Sequence, residues 1–131
     1  MYRLPTLALA LFALGAAGLG CGVGRHVQKG MDSYRAGLYQ AALQQLRPLE
    51  TREAEMNPKG RLRYLVYRGL SHYRLGQRTA ALYWLLRGDE LHQHANPRWL
   101  PRHAIAEMDT ALRELRSPTP AEVEPDVVVI Q

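Results

Sequence analysis

The sequence is poor in cysteine and holds none of the common catalytic signatures. One cysteine in 131 residues excludes a disulfide framework within one chain and a zinc site built on several cysteines. There is no G-x-S-x-G, no H-E-x-x-H and no glycine-rich phosphate loop. His92 and His94 are two residues apart and would point in nearly opposite directions on a helix. The sequence therefore predicts no enzyme, no metal site and no cofactor.

Charge is absent from residues 4–20. Arg3 and the terminal amine precede this run, which is rich in alanine and glycine. Its seventeen residues are few for a membrane span, which needs roughly 20. A charged start, an apolar run and a small-residue end are typical of a secretory signal. We therefore interpret residues 1–20 as a signal peptide and leave them out of the fold.

The only cysteine, Cys21, stands where this run ends, directly after Gly20. The pair resembles the lipobox of bacterial lipoproteins. The resemblance implies that the signal is cut before Cys21 and that its thiol is acylated, for example with palmitate. Gly22 stands where an aspartate would retain a lipoprotein at the inner membrane, which favours the outer membrane, facing the periplasm. Two alternatives stay open: a secreted protein with an incidental thiol, and an uncleaved membrane anchor.

A repeat of period 39 organises the rest of the chain. Residues 30–37, GMDSYRAG, align with residues 69–76, GLSHYRLG, and Ala41-Ala42-Leu43 aligns with Ala80-Ala81-Leu82. Asn57-Pro58 recurs at Asn96-Pro97, and asparagine before proline is a helix-start signal. The helical spacing of apolar residues predicts two helices per unit, near 22–36 and 39–52 in the first. Residues 97–116 predict one more helix, beginning near Leu100.

The unit resembles the tetratricopeptide repeat (TPR) through Gly69, Tyr73, Leu75-Gly76, Ala81 and Gly88, with Gly30, Tyr34, Gly37, Tyr39 and Ala42 as the counterparts in the first unit. The resemblance implies an all-α fold. It would be a short TPR-like α-solenoid of two helix-turn-helix units in residues 21–116, closed by a C-terminal capping helix. Such solenoids need a polar cap, because a unit cannot bury its own apolar face. The alternative is another helical hairpin pair with similar glycine spacing.

In that family the first helix of each unit lines a concave groove. Tyrosine followed by arginine recurs in both units, and arginine binds carboxylates in a bidentate manner. We therefore expect a groove for an acidic peptide or protein. The alternative is that the tyrosines pack inside and the arginines are only solvated. The groove residues expected from the resemblance are Met31, Tyr34, Arg35, Arg63, Val66, Leu70, Tyr73 and Arg74.

Charge is distributed unevenly along the chain. Residues 22–116 hold sixteen basic and nine acidic residues, a formal +7, whereas residues 117–131 hold three acids and no base. This acidic, proline-containing tail is predicted to be disordered, or to bind a groove through Val127 to Ile130. A basic body suits an acidic partner or an anionic membrane. Nucleic acid is not an expected partner, because exported proteins rarely meet it.

These features favour a lipid-anchored protein–protein interaction or scaffolding module of the bacterial cell envelope. By analogy with repeat-containing lipoproteins, it would assist the assembly of a secretion, pilus or motility machine. A second copy of the chain is another candidate partner, since self-association would bury the open end of a short solenoid. The alternatives are an exported small-ligand-binding or enzyme-accessory protein and an uncleaved single-span membrane subunit.

Overall fold

The computed structural model describes residues 19–119, and only the backbone of residues 19–21. This part of the chain is all-α, as predicted, and contains no strand. Two 3₁₀ segments, Arg47–Glu55 and Pro97–Trp99, interrupt the helices. The five helices are α1 (Leu19–Arg35), α2 (Tyr39–Leu46), α3 (Pro58–Arg74), α4 (Arg78–Gln93) and α5 (Arg102–Arg116).

Residues that repeat in the sequence also make equivalent contacts between helices. A Cβ on Gly30 in α1 would lie 2.5 Å from Leu46 Cδ2 in α2, and a Cβ on Gly69 in α3 would lie 2.6 Å from Leu85 Cγ in α4. Both distances are shorter than the contacts that Cβ atoms make in proteins. Glycine at these positions therefore lets the two helices approach closely. Each glycine and each leucine is 39 residues from its counterpart. The α1–α2 and α3–α4 hairpins therefore share this glycine–leucine contact.

The turns repeat as well. Gly37 and Gly76, which follow α1 and α3, have φ of 77° and 72°, a left-handed conformation that glycine adopts without a steric penalty. The side chain of Asn57 accepts a hydrogen bond from the Gly60 amide at the start of α3, and that of Asn96 accepts one from the Arg98 amide. The predicted asparagine caps are thus confirmed, although Asn96 caps a 3₁₀ turn rather than α5.

One predicted helix is shorter than expected. The sequence predicts a helix over residues 39–52, but α2 ends at Leu46 and a 3₁₀ segment follows. Pro48 lies at the start of that segment. Proline has no amide hydrogen, and its ring clashes with the carbonyl of the preceding helical turn. The 3₁₀ segment still contributes to the core, because Leu49 is buried.

The C-terminal helix α5 packs on α3 and α4. It begins at Arg102, two residues after the expected position. Its exposed face is polar, with Arg102, Asp109 and Arg113 in solvent. The buried residues recur at helical spacing and join the single hydrophobic core; they are Ala104, Met108, Ala111, Leu112 and Leu115.

Within residues 19–119, no helix is both long enough and apolar enough to cross a membrane. The predicted signal peptide falls almost entirely outside the described residues, as does the acidic tail from residue 120 onward. Cys21 lies in the first turn of α1, and its side chain is not described.

Candidate functional site

Four of the expected groove residues, Met31, Tyr34, Val66 and Leu70, belong to the hydrophobic core. Met31, Val66 and Leu70 are at most 1% exposed, so they have almost no surface to offer a partner. This corrects the expectation that they line an open groove. The helical spacing that places a residue on the groove face also places it against any helix that covers that face. The neighbouring α5 packs on α3, which is the helix of Val66 and Leu70.

Tyr34, Arg74 and Glu107 form one cluster, contributed by α1, α3 and α5. The Tyr34 hydroxyl donates a hydrogen bond to Glu107 and accepts one of 3.3 Å from Arg74 Nε. Arg74 also forms an ion pair of 3.1 Å with Glu107. Two of the predicted ligand-binding residues therefore hold a carboxylate, and this carboxylate belongs to the chain itself.

A second carboxylate of α5 meets the second repeat. The Tyr73 hydroxyl donates a hydrogen bond to Glu114. Tyr73 is the counterpart of Tyr34 at the 39-residue offset, and Glu114 lies seven residues, or two helical turns, after Glu107. Equivalent tyrosines of the two repeats thus bind two carboxylates on one side of α5.

Three further contacts tie the ends of α5 and its preceding turn to the repeats. Arg63 Nε donates a hydrogen bond of 2.9 Å to the carbonyl oxygen of Trp99. Arg78 donates hydrogen bonds of 3.2 and 3.1 Å to the carbonyls of Glu114 and Ser117. A cation at a helix C-terminus satisfies carbonyls that have no partner inside the helix. Arg63, an expected groove residue, therefore also faces the C-terminal segment.

Burial of Tyr34 and the hydrogen bond of Tyr73 to Glu114 keep the two tyrosine hydroxyls in the donor state. The pKa of Tyr34 is raised well above its ordinary value by desolvation and by the hydrogen bond to Glu107. The pKa of Tyr73 is raised mainly by the hydrogen bond to Glu114. The pKa of Arg74 is also raised, chiefly by its hydrogen bond to Tyr34. Each hydroxyl keeps its proton at neutral pH and can donate it to a carboxylate.

Arg35 stands apart from these contacts. Its guanidinium is 3.4 Å from the Asp32 carboxylate, and both side chains are exposed, a geometry that contributes little stability. Arg35 lies beside a recess of about 220 Å³. Two guanidinium groups and an imidazole border this recess, against the one carboxylate of Glu107. The residues that line it are Tyr34, Arg35, Tyr39, Arg74, His103 and Glu107.

Sequence reasoning missed two features of this region. Glu107 and Glu114 were not proposed as site residues, although their seven-residue spacing on the capping helix could have indicated that they share a face. A buried cluster at Arg68 was also missed. Arg68 lies 3.8 Å above the Trp84 ring, donates to Tyr64, and forms an ion pair of 3.0 Å with Glu50. This cluster joins α3, α4 and the 3₁₀ segment and contributes to the packing of the fold.

Over the described part of the chain, no group of three or more His, Cys, Asp or Glu residues is arranged to hold a metal ion. Compared with known protein families, with curated proteins and with solved structures, the chain matches none.

Proposed function

We propose that the chain is a lipid-anchored interaction module of the bacterial cell envelope, built as a short TPR-like α-solenoid. The solenoid proposal is supported by the equivalent packing of Gly30 on Leu46 and of Gly69 on Leu85. It is further supported by the polar outer face of α5, which suits the last helix of a stack. The anchor proposal rests on Cys21 and the apolar run before it.

The observation that carries the binding proposal is the pair of carboxylates held by the repeats. Tyr34 and Arg74 hold Glu107, and Tyr73 holds Glu114. The chemistry of this face therefore suits acidic groups presented on a polypeptide. Arg35 is the repeat counterpart of Arg74; its guanidinium lies 5.8 Å from the centre of the Tyr67 ring and 3.4 Å from the exposed carboxylate of Asp32. We infer that the recess beside Arg35 receives a carboxylate from a partner protein.

The distance of this recess from the anchor favours a protein partner over a lipid headgroup. Arg35 lies fourteen residues after Cys21 on the same helix, a rise of about 21 Å. A module held at Cys21 and standing upright on α1 would place the recess well above the lipid surface. The recess would then be accessible to other envelope proteins.

Affinity capture from detergent-solubilised envelopes tests the binding proposal. We expect the Arg35→Ala, Arg74→Ala protein to recover partners at least about tenfold less well than wild type, since each charged hydrogen bond contributes about 1.5–3 kcal/mol. The matched control is Arg25→Ala with Lys29→Ala, which removes the same charge from exposed positions of α1. Equal recovery by both variants and wild type would refute the proposed binding face.

Acyl labelling tests the anchor. Wild type should incorporate labelled palmitate and sediment with membranes, whereas Cys21→Ser should take no label and be released. A serine variant that stays membrane-bound, together with an unlabelled wild type, would contradict lipidation. That result would favour the uncleaved single-span subunit.

A further inference from the structure

We propose that the face now covered by α5 is a docking surface for a partner helix that replaces α5. The partner would be an amphipathic helix with two carboxylates seven residues apart. This inference rests on the proposed function, because it identifies what the larger face of an interaction module binds. The face is formed by α3 and α4, on which α5 packs, and by Tyr34 of α1, whose hydroxyl donates to Glu107.

The spacing of the carboxylates follows from the repeat. Tyr34 and Tyr73 occupy equivalent positions of neighbouring units, and packed helices lie about 8–10 Å apart. Glu107 and Glu114 are separated along α5 by seven residues, a rise of about 10.5 Å. In the structure each tyrosine hydroxyl meets one of these carboxylates. Any helix that lies along this face in the same way needs acids at the same spacing.

The apolar side of α5 defines the remaining requirements. Ala104 and Ala111 are small and buried, and Met108 is fully buried between them. Small residues allow close helix approach, and the large ones fill the space beside them. A partner helix therefore needs this alternation of small and large apolar residues in addition to its two acids.

The N-terminal end of α5, unlike its last turn with Arg113 and Arg116, lacks the features that stabilise a helix by itself. Pro101 occupies the N-cap position and makes no side-chain cap, and the first turn holds Arg102 and His103 without an acid. Positive charge at a helix N-terminus opposes the helix dipole. An isolated helix of fifteen residues is marginal in water. The helical state of α5 therefore depends on its contacts with the repeats. A partner helix would bind when local unfolding releases α5 from these contacts.

Exchange with a synthetic α5 tests the proposal. The probe is a fluorescent peptide of residues 100–117, added to the full chain in detergent. The Glu107→Gln, Glu114→Gln protein should bind the peptide at least about tenfold more tightly than wild type, because its own α5 is held less strongly. The matched control is Glu90→Gln with Asp109→Asn, which changes the charge equally at exposed positions. It should bind like wild type.

The peptide supplies a second comparison. Replacing both glutamates of the peptide by glutamine should abolish its tighter binding to the Glu107→Gln, Glu114→Gln protein. Equal affinity of the double variant and its control for the original peptide, or binding by neither, would overturn the proposal.

Hydrogen exchange on the wild-type protein tests the release of α5 without any variant, so it applies even if the double variant misfolds. Amides of α5 should exchange through local opening while those of α3 and α4 stay protected, and equal protection of all three helices would contradict a removable α5. If the peptide and exchange experiments fail while partner capture still depends on Arg35, only the displacement of α5 is refuted. Loss of that capture, with peptide exchange intact, would refute only the proposed recess.

Discussion

The hydroxyl of Tyr34 in α1 donates a hydrogen bond to the carboxylate of Glu107 in α5, 73 residues further along the chain. This contact connects the first sequence repeat to the C-terminal helix α5. Arg74 of the second repeat pairs with the same carboxylate. Tyr34 and Arg74 therefore hold a carboxylate that belongs to the chain itself.

Removing the Tyr34 hydroxyl should weaken the attachment of α5. We expect Tyr34→Phe to lower the free energy of unfolding by about 1 kcal/mol, because Glu107 loses a charge-assisted hydrogen bond. Tyr39→Phe is the control, since the adjacent Tyr39 ring packs 5.2 Å from Tyr34 and makes no comparable bond to α5. Urea denaturation measures both. A loss in Tyr39→Phe as large as that in Tyr34→Phe would contradict this role for the hydroxyl.

Gly69 should not tolerate a side chain. A Cβ there would lie 2.6 Å from Leu85 Cγ and 2.9 Å from the Leu85 backbone nitrogen. We expect Gly69→Ala to destabilise the fold by about 1–3 kcal/mol through overpacking. Gly24→Ala is the matched control, because a Cβ there would meet no atom of another helix within 4 Å. That change should be neutral or stabilise α1 by up to about 1 kcal/mol. Comparable unfolding curves for the two variants would refute close helix approach at Gly69.

The stacking of Arg68 should require arginine itself. Its guanidinium lies 3.8 Å above Trp84 and is bonded to Tyr64 and Glu50. Lysine keeps the charge but lacks the planar group, so Arg68→Lys should cost about 1–2 kcal/mol. Arg98→Lys, at an exposed position, should change stability little. Wild-type stability in Arg68→Lys would show that charge alone suffices.

Stability should fall in mild acid because of His72. Burial lowers the pKa of His72 below its ordinary value of 6.5, and nearby Arg47 and Arg68 lower it further, against the hydrogen bond with Gln77. The unfolded chain takes up this proton near pH 6.5 and the folded chain only at lower pH. The contribution of neutral His72 to the free energy of unfolding is therefore complete above pH 6.5 and decreases as the pH falls below that value.

Unfolding measured between pH 7.5 and 5 checks this dependence. His72→Gln should flatten the curve in that range, because the titrating group is gone. A variant with the same slope as wild type would exclude His72 as the source.

The repeat could be predicted from sequence because its signals are local. Gly37, Gly76, Asn57 and the paired alanines each act within a few residues, and the 39-residue offset aligns them. The predicted length of α2 is wrong. Apolar spacing continues past Pro48 to Leu49, but a 3₁₀ segment buries Leu49 as well as an α-helix would. Pro48 is the local signal that ends the α-helix.

The candidate site was predictable only in part. The resemblance places Tyr34, Tyr73 and Arg74 on one face, and Arg74 does donate to Tyr34, but a resemblance could not show which residues lie against them. The burial of Met31, Val66 and Leu70 depends on packing between elements that are distant in sequence. Glu107 and Glu114 acquire their role only once α5 is positioned, and that position is set by long-range contacts.

Site-specific photo-crosslinking in living cells tests the central claim most directly. A photoreactive residue in place of Tyr39, which borders the Arg35 recess, should crosslink a partner protein of the envelope. The same residue in place of Tyr83, which is exposed on α4, should not. Loss of the Tyr39 crosslink on adding Arg35→Ala would agree with an acidic partner held by this arginine. A crosslink from Tyr83 alone, or one from Tyr39 that persists without Arg35, would contradict the proposed binding face.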